Sequence, residues 1–189
     1  MAEEFIHDLI QMGDRDWAEG VADKIDVSRA ANEQSTFLNA IEFYQLTNKD
    51  LGVKSIRGGF NRAFAMKESK SIAIPDNRSE KDRKSAQFHE MAHFTEFKSV
   101  KIADECKDWV KSRATGELTK LSELTGLDYR DGEKAYPDHF VDPYVGKIYE
   151  DSTEVMSIGL EAFASPKALA DLYQTDHSHF DLIMKYIRK

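Results

Sequence analysis

The stretch His89-Glu90-Met91-Ala92-His93 combines residue types at a spacing that could do chemistry. Four residues on an α-helix are just over one turn, so both imidazoles project from one face and can reach a single metal ion, while the carboxylate between them points into the space above it. That is a zinc site with a base attached. Neutral imidazoles suit zinc, a zinc-bound water has its pKa lowered to about 7, and an adjacent glutamate can then take the proton. Phe88, Met91, Ala92 and Phe94 surround the pair with apolar side chains. A helix so flanked is buried on most sides, and histidines buried there need partners.

A catalytic zinc takes three protein ligands and keeps one position open. Glu96 is the nearest further carboxylate, but seven residues from His89 is about 10.5 Å of helix rise, too far to share a coordination sphere. No Gly-x-x-His follows His93, since the chain continues Phe94-Thr95-Glu96-Phe97-Lys98-Ser99. The third ligand must therefore arrive on a second helix, and Thr153 to Glu161 supplies two carboxylates. Glu154 would sit in the first turn, behind the caps Ser152 and Thr153, with Ser157 one turn later as a supporting group. Glu161 would lie two turns deeper on the same face. Glu154 is favoured, because a loop can bring a helix entrance against the histidine helix. Glu161 stays open as the alternative, and if it is not the ligand its loss should mainly cost stability.

Several elements must position these groups. The first 46 residues read as helical pieces broken near Gly13, Gly20 and Asp26-Val27-Ser28, the clearest running from Ser35, as N-cap, through Phe37, Leu38, Ile41, Tyr44 and Leu46. Val53–Ile56, Ala63–Met66 and Ser71–Ile74 are short runs that read as a small meander ending at Pro75. A polar lead-in, 76–84, precedes the histidine helix. Ile102–Arg113 and Thr119–Leu124 read as helices, the second closed by Gly126. Residues 128–150 form an aromatic-rich loop, 154–164 a helix that Pro166 ends or restarts, and 180–187 a last amphipathic helix. His177-Ser178-His179 reads as a polar loop, and with His139 is a further source of metal ligands. Cys106 reads as a core residue.

The chain has 189 residues, 41% apolar and 32% charged, the composition of an ordinary globular protein of one compact unit. We expect an N-terminal helical segment, 1–50, packed on a domain spanning 51–189. The formal net charge of -8 argues against nucleic acid or an anionic membrane as the main partner. Cys106 is the only cysteine, which excludes an internal disulfide and a cysteine-based zinc cage and fits a reducing compartment. No stretch approaches the ~20 apolar residues of a membrane span, and Met1-Ala2-Glu3-Glu4 lacks the basic start of a secretory signal, so the expected location is cytoplasmic.

The two histidines with a distant helical glutamate resemble the gluzincin branch of the zincin metallopeptidases, and Glu154-Val155-Met156-Ser157 resembles the Glu-x-x-Ser stretch that carries their third ligand. Over residues 53–187 the chain more closely resembles the C-terminal zincin-like region of bacteriophage minor head (head-morphogenesis) proteins. Tyr129-Arg130-Asp131, the run Tyr136-Pro137-Asp138-His139-Phe140-Val141-Asp142-Pro143-Tyr144-Val145-Gly146-Lys147-Ile148-Tyr149, Thr153 to Glu161 and Phe180-Asp181 carry that resemblance. It implies an α+β zincin-like fold, a small mixed sheet with the histidine helix and further helices. It implies zinc held by His89, His93 and Glu154, Glu90 as general base, and Tyr149 or Tyr144 as a phenol that steadies an oxyanion. Ser71–Ile74 would be the edge strand that aligns an extended peptide. The implied activity is peptide-bond hydrolysis on a peptide or protein substrate, with phage structural proteins as partners and a virion-associated location alongside the cytoplasmic one. A zincin-fold structural or interaction domain of a phage head complex is the competing expectation. An intact Glu90 favours the enzyme, because a purely structural metal site has no need of a base.

Overall fold

A computed structural model describes residues 1–28, 31–76 and 78–187. Its sheet has four strands, β1 (Asp26–Val27), β2 (Ser55–Phe60), β3 (Phe64–Met66) and β4 (Ser71–Pro75), in the order β1-β2-β4-β3. β1 and β2 are parallel, with Val27 opposite Ile56, and β2 and β4 are parallel, with Ile56 opposite Ile72. Only β3 runs antiparallel, with Ala65 opposite Ile72. This is not the expected meander. β4 is buried along its whole length, so both of its faces and both of its edges must be covered, whereas β3 is half-buried and can sit at the margin. Gly59 has φ 87, a left-handed conformation that side chains rarely adopt, at the register shift where β2 leaves the ladder.

Nine helices are described: α1 (Ala2–Gln11), α2 (Arg15–Ala22), α3 (Glu33–Thr47), α4 (Glu80–Phe97), α5 (Val100–Arg113), α6 (Leu121–Thr125), α7 (Val155–Glu161), α8 (Pro166–Thr175) and α9 (His177–Ile187). A two-stranded ribbon joins β5 (Thr119–Lys120) to β6 (Lys134–Ala135). Helix and mixed sheet share one apolar core reaching from Ile6 to Tyr186, so the class is α+β. Among the described residues no helix is long and apolar enough to cross a membrane.

α4 starts at Ser79, whose hydroxyl accepts from the Asp82 N–H, and its second half is enclosed by β4, α3, α5 and α7. Phe88 is fully buried and meets Phe43 of α3 edge-on at 5.2 Å between ring centroids. α7 crosses α9 so closely that a Cβ on Gly159 would lie 2.4 Å from Ile183 side-chain carbons.

Several expected boundaries shift. α3 begins at Glu33, not after Ser35: Asn32 takes the left-handed conformation, and the Ser35 hydroxyl donates back to the Asn32 carbonyl. Leu38 is exposed while Phe43 is buried. Gly20 lies inside α2, and Asp26-Val27 is an edge strand rather than a mere break. Thr119-Lys120 pairs as strand before α6, which Gly126 closes in the left-handed conformation as expected. Pro166 restarts the chain as α8. His177-Ser178-His179 is the first turn of α9, not a loop.

Candidate metal centre

His89 and His93 stand one turn apart on α4 with ring centroids 5.1 Å apart. α7 packs directly on this helix, and Glu154, at its N-cap position, turns its carboxylate into the gap. Glu154 Oε2 lies 3.3 Å from His89 Nε2 and 3.5 Å from His93 Nε2. The three ligand atoms are all within 4.8 Å of one another, which makes His89, His93 and Glu154 a group able to hold a metal ion. The spacing fits: bonds of about 2.0–2.1 Å to a tetrahedral zinc place neighbouring ligand atoms roughly 3.3–3.4 Å apart. Two imidazole nitrogens with one carboxylate oxygen also suit zinc chemically.

Two of the ligands are held from behind by hydrogen bonds. The Nδ1 of His89 is 2.8 Å from Glu161 Oε2, an arrangement that leaves Nε2 free to bind and fixes the ring. Glu161 thus stands on the far side of His89 from the ligand group. Ser157 donates to Glu154 Oε2 at 2.7 Å, and the Tyr149 hydroxyl donates to Oε1 at 2.6 Å. His93 is stacked on Phe97, and its buried Nδ1 has no hydrogen-bond partner among the described residues.

The electrostatics divide the group by environment. Burial alone would lower the His89 pKa, but its hydrogen bonds with Glu154 and Glu161 push it up to about 10. Burial dominates for His93 and lowers it to about 4. Burial would raise Glu154, yet the His89 hydrogen bond and the charges of both histidines pull it down to about 2. Metal-free, the group therefore holds a proton on His89 between two carboxylates, which a metal must displace.

Glu90 shares the cleft with the ligand group but not its hydrogen bonds. It is 6% exposed, lines the cleft beside His89, and makes no hydrogen bond among the described residues. Burial raises its pKa to about 7, with Glu154 and Glu161 adding to the rise while His89 and Arg62 oppose it. A carboxyl poised near neutrality suits a proton carrier.

Glu96, discounted as a ligand on distance, has a different part. Its buried carboxylate accepts from the Thr153 N–H at 2.7 Å and the Thr153 hydroxyl at 3.0 Å, tying the residue before Glu154 to the helix that carries the histidines. Burial raises its pKa to about 8. The readable signal was a lone acid amid Phe94, Thr95 and Phe97.

The two candidate phenols differ. Tyr149 has its proton engaged by Glu154, and burial, with the Glu154 charge, raises its pKa. Tyr144 accepts from Lys147 Nζ at 2.9 Å and meets the Tyr149 oxygen only at 3.3 Å. Both line the cleft. Ser71–Ile74 belongs to β4, an interior strand, and so is not at the edge; β3 is, and Phe64 and Ala65 border a cavity of about 330 Å³ over the ligand group. None of the other histidines expected as further ligands joins a metal-binding group among the described residues. The His139 carbonyl accepts from Arg113, exposed His177 faces Asp181, and buried His179 has Nε2 2.8 Å from the Val155 carbonyl oxygen. Cys106 is buried in the core. Comparison with known protein families, with curated proteins and with solved structures finds no match to this chain.

Proposed function

We propose that the chain is a zinc-dependent peptidase with a zincin-like active site. The observation that carries this reading is Glu90. It is a buried carboxyl without a structural hydrogen bond, raised to about 7, beside a group of two imidazoles and a carboxylate of the right spacing. A metal site kept only for structure would gain nothing from it.

A bound zinc supplies a lowered water pKa and polarises a carbonyl. The chain's own residues do the rest. His89, Glu154 and His93 would hold the ion, with Glu161, Ser157 and Tyr149 fixing two of them in place. Glu90 would take the proton of the attacking water and deliver it to the departing amine. Tyr144, whose proton is the less engaged of the two phenols, is the better placed to donate to an oxyanion. The free edge of β3 would align an extended peptide by strand addition. The resemblance to minor head proteins makes phage structural proteins the first partners and substrates to try.

Glu90→Gln should abolish hydrolysis of casein or of the chain itself while zinc content stays near one per chain and the fold is unchanged. Elemental analysis and a cleavage assay on both forms check it. Activity within tenfold of wild type would hand the proton to another group, and inactivity of a zinc-loaded wild type would favour the structural domain of a phage head complex.

A further inference from the structure

Beside the ligand group the cleft widens into a cavity of about 950 Å³. Its wall gathers three of the chain's nine arginines, Arg62, Arg78 and Arg130, all exposed. They come from three separate segments: the turn between β2 and β3, the lead-in to α4 and the loop before β6. Among the described residues none of these guanidinium groups makes a hydrogen bond or ion pair, whereas Arg57 is bound to Asp26, and Arg113 to Asp138 and Asp176.

The other charges on the wall are largely matched. Lys147 is paired with Glu133 at 2.8 Å, and Glu161 with His89. Two carboxylates remain: Asp82, which accepts the Ser79 hydroxyl, and Glu90, which faces the ligand group. A chain with 34 acidic and 26 basic side chains has acid to spare for neutralising arginine, yet three around one concavity stand without an ion pair, Arg62 and Arg130 feeling Glu90 and Glu133 only at longer range. Guanidinium presents a planar donor fork that fits a carboxylate and is less strongly hydrated than an ammonium, and low-dielectric walls focus its field.

We propose that this cavity is a binding site for peptide carboxylates, supplied by Asp or Glu side chains of the bound segment or by its C-terminus. The proposal names a substrate class for the peptidase reading and rests on it for the word substrate, but the binding can be measured without cleavage.

The test is calorimetric binding to the Glu90→Gln protein, metal-free and zinc-loaded, of three peptides of equal length. One carries central Asp and Glu with an amidated C-terminus, one has Asn and Gln instead and is amidated, and one has Asn and Gln with a free C-terminus. At low salt, at least one carboxylate-bearing peptide should bind tenfold or more tighter than the neutral one. The advantage should shrink at high salt, since the screening length falls from ~10 Å at 0.1 M to ~3 Å at 1 M. It should vanish in Arg62→Gln/Arg78→Gln/Arg130→Gln, whose circular dichroism should be unchanged. A gain in the first peptide assigns the site to side chains, and in the third to the C-terminus. Equal affinities, no binding, or an advantage that survives the triple substitution overturns the proposal. Carboxylate preference without cleavage of any peptide by zinc-loaded wild type keeps this site and removes the peptidase.

Discussion

Glu154 and Glu161 lie on one short helix and approach His89 from opposite sides, so their substitution should separate ligand from support. Glu154→Ala removes a ligand atom and the acceptor for Ser157 and Tyr149. Zinc affinity should fall by well over 100-fold. Glu161→Ala leaves all three ligand atoms but frees the His89 ring, and a loss of about 10- to 100-fold is the ordinary effect of removing such a partner. Competition titration with a chromophoric chelator measures both, and equal losses would place Glu161 in the ligand set. This revises the expectation from sequence that Glu161 serves mainly stability. The histidine pair was legible because four residues on one helix fix a geometry without help from the rest of the fold. Which ring nitrogen each glutamate would meet was not, because it depends on how two helices distant in sequence are packed.

At the scale of elements, the joint between α4 and the entrance of α7 is made by Glu96 and Thr153. Glu96→Ala strands the Thr153 N–H and hydroxyl in the interior. Leaving a buried donor unsatisfied costs about 1–3 kcal/mol, so a loss of roughly 2–4 kcal/mol in urea unfolding is expected. Zinc affinity should fall by about tenfold as Glu154 loses its footing. A change under about 0.5 kcal/mol would mean that water replaces the carboxylate at no cost. In sequence Glu96 reads only as a candidate ligand, and burial of a charged group gives no local signal of which backbone it serves. The sheet shows the same limit. Three apolar runs between turn residues were readable as strands, but the insertion of β4 between β2 and β3 follows from its burial on all sides, a property of the assembled layers.

For the whole molecule, the unusual protonation of the centre predicts opposite pH trends for the stability of the metal-free protein and for the gain on adding metal. His89 is raised from 6.5 to about 10, so the stability it contributes is full below about 6.5 and is lost as pH rises through about 10. Glu90 and Glu96, raised to about 7 and about 8, act in the same direction from about 4.5 upward, because the folded state keeps protons that the unfolded chain releases. The metal-free protein should therefore melt at lower temperature as pH rises from about 6 to about 8. Zinc must displace the His89 proton, so its stabilising effect should grow over that range. At a thousandfold excess over Kd the ligand adds about 4 kcal/mol, which for this size is on the order of 10 °C. Scanning calorimetry at several pH values reads both trends, and a zinc shift that shrinks with rising pH would contradict the assignment of the proton to His89.

Glu96 and Thr153 also close a long loop. Between them run α5, the β5–β6 ribbon and the aromatic segment that carries Tyr129 and Tyr144 to the cleft. Cross-linking a loop of such length restricts chain entropy by on the order of 4 kcal/mol in the disulfide treatment. Here hydrogen bonds fasten the two ends, so that cost falls on folding and not on metal capture. An incoming ion meets ligands already gathered, and its coordination energy goes to displacing the His89 proton and holding the ion, not to closing the loop.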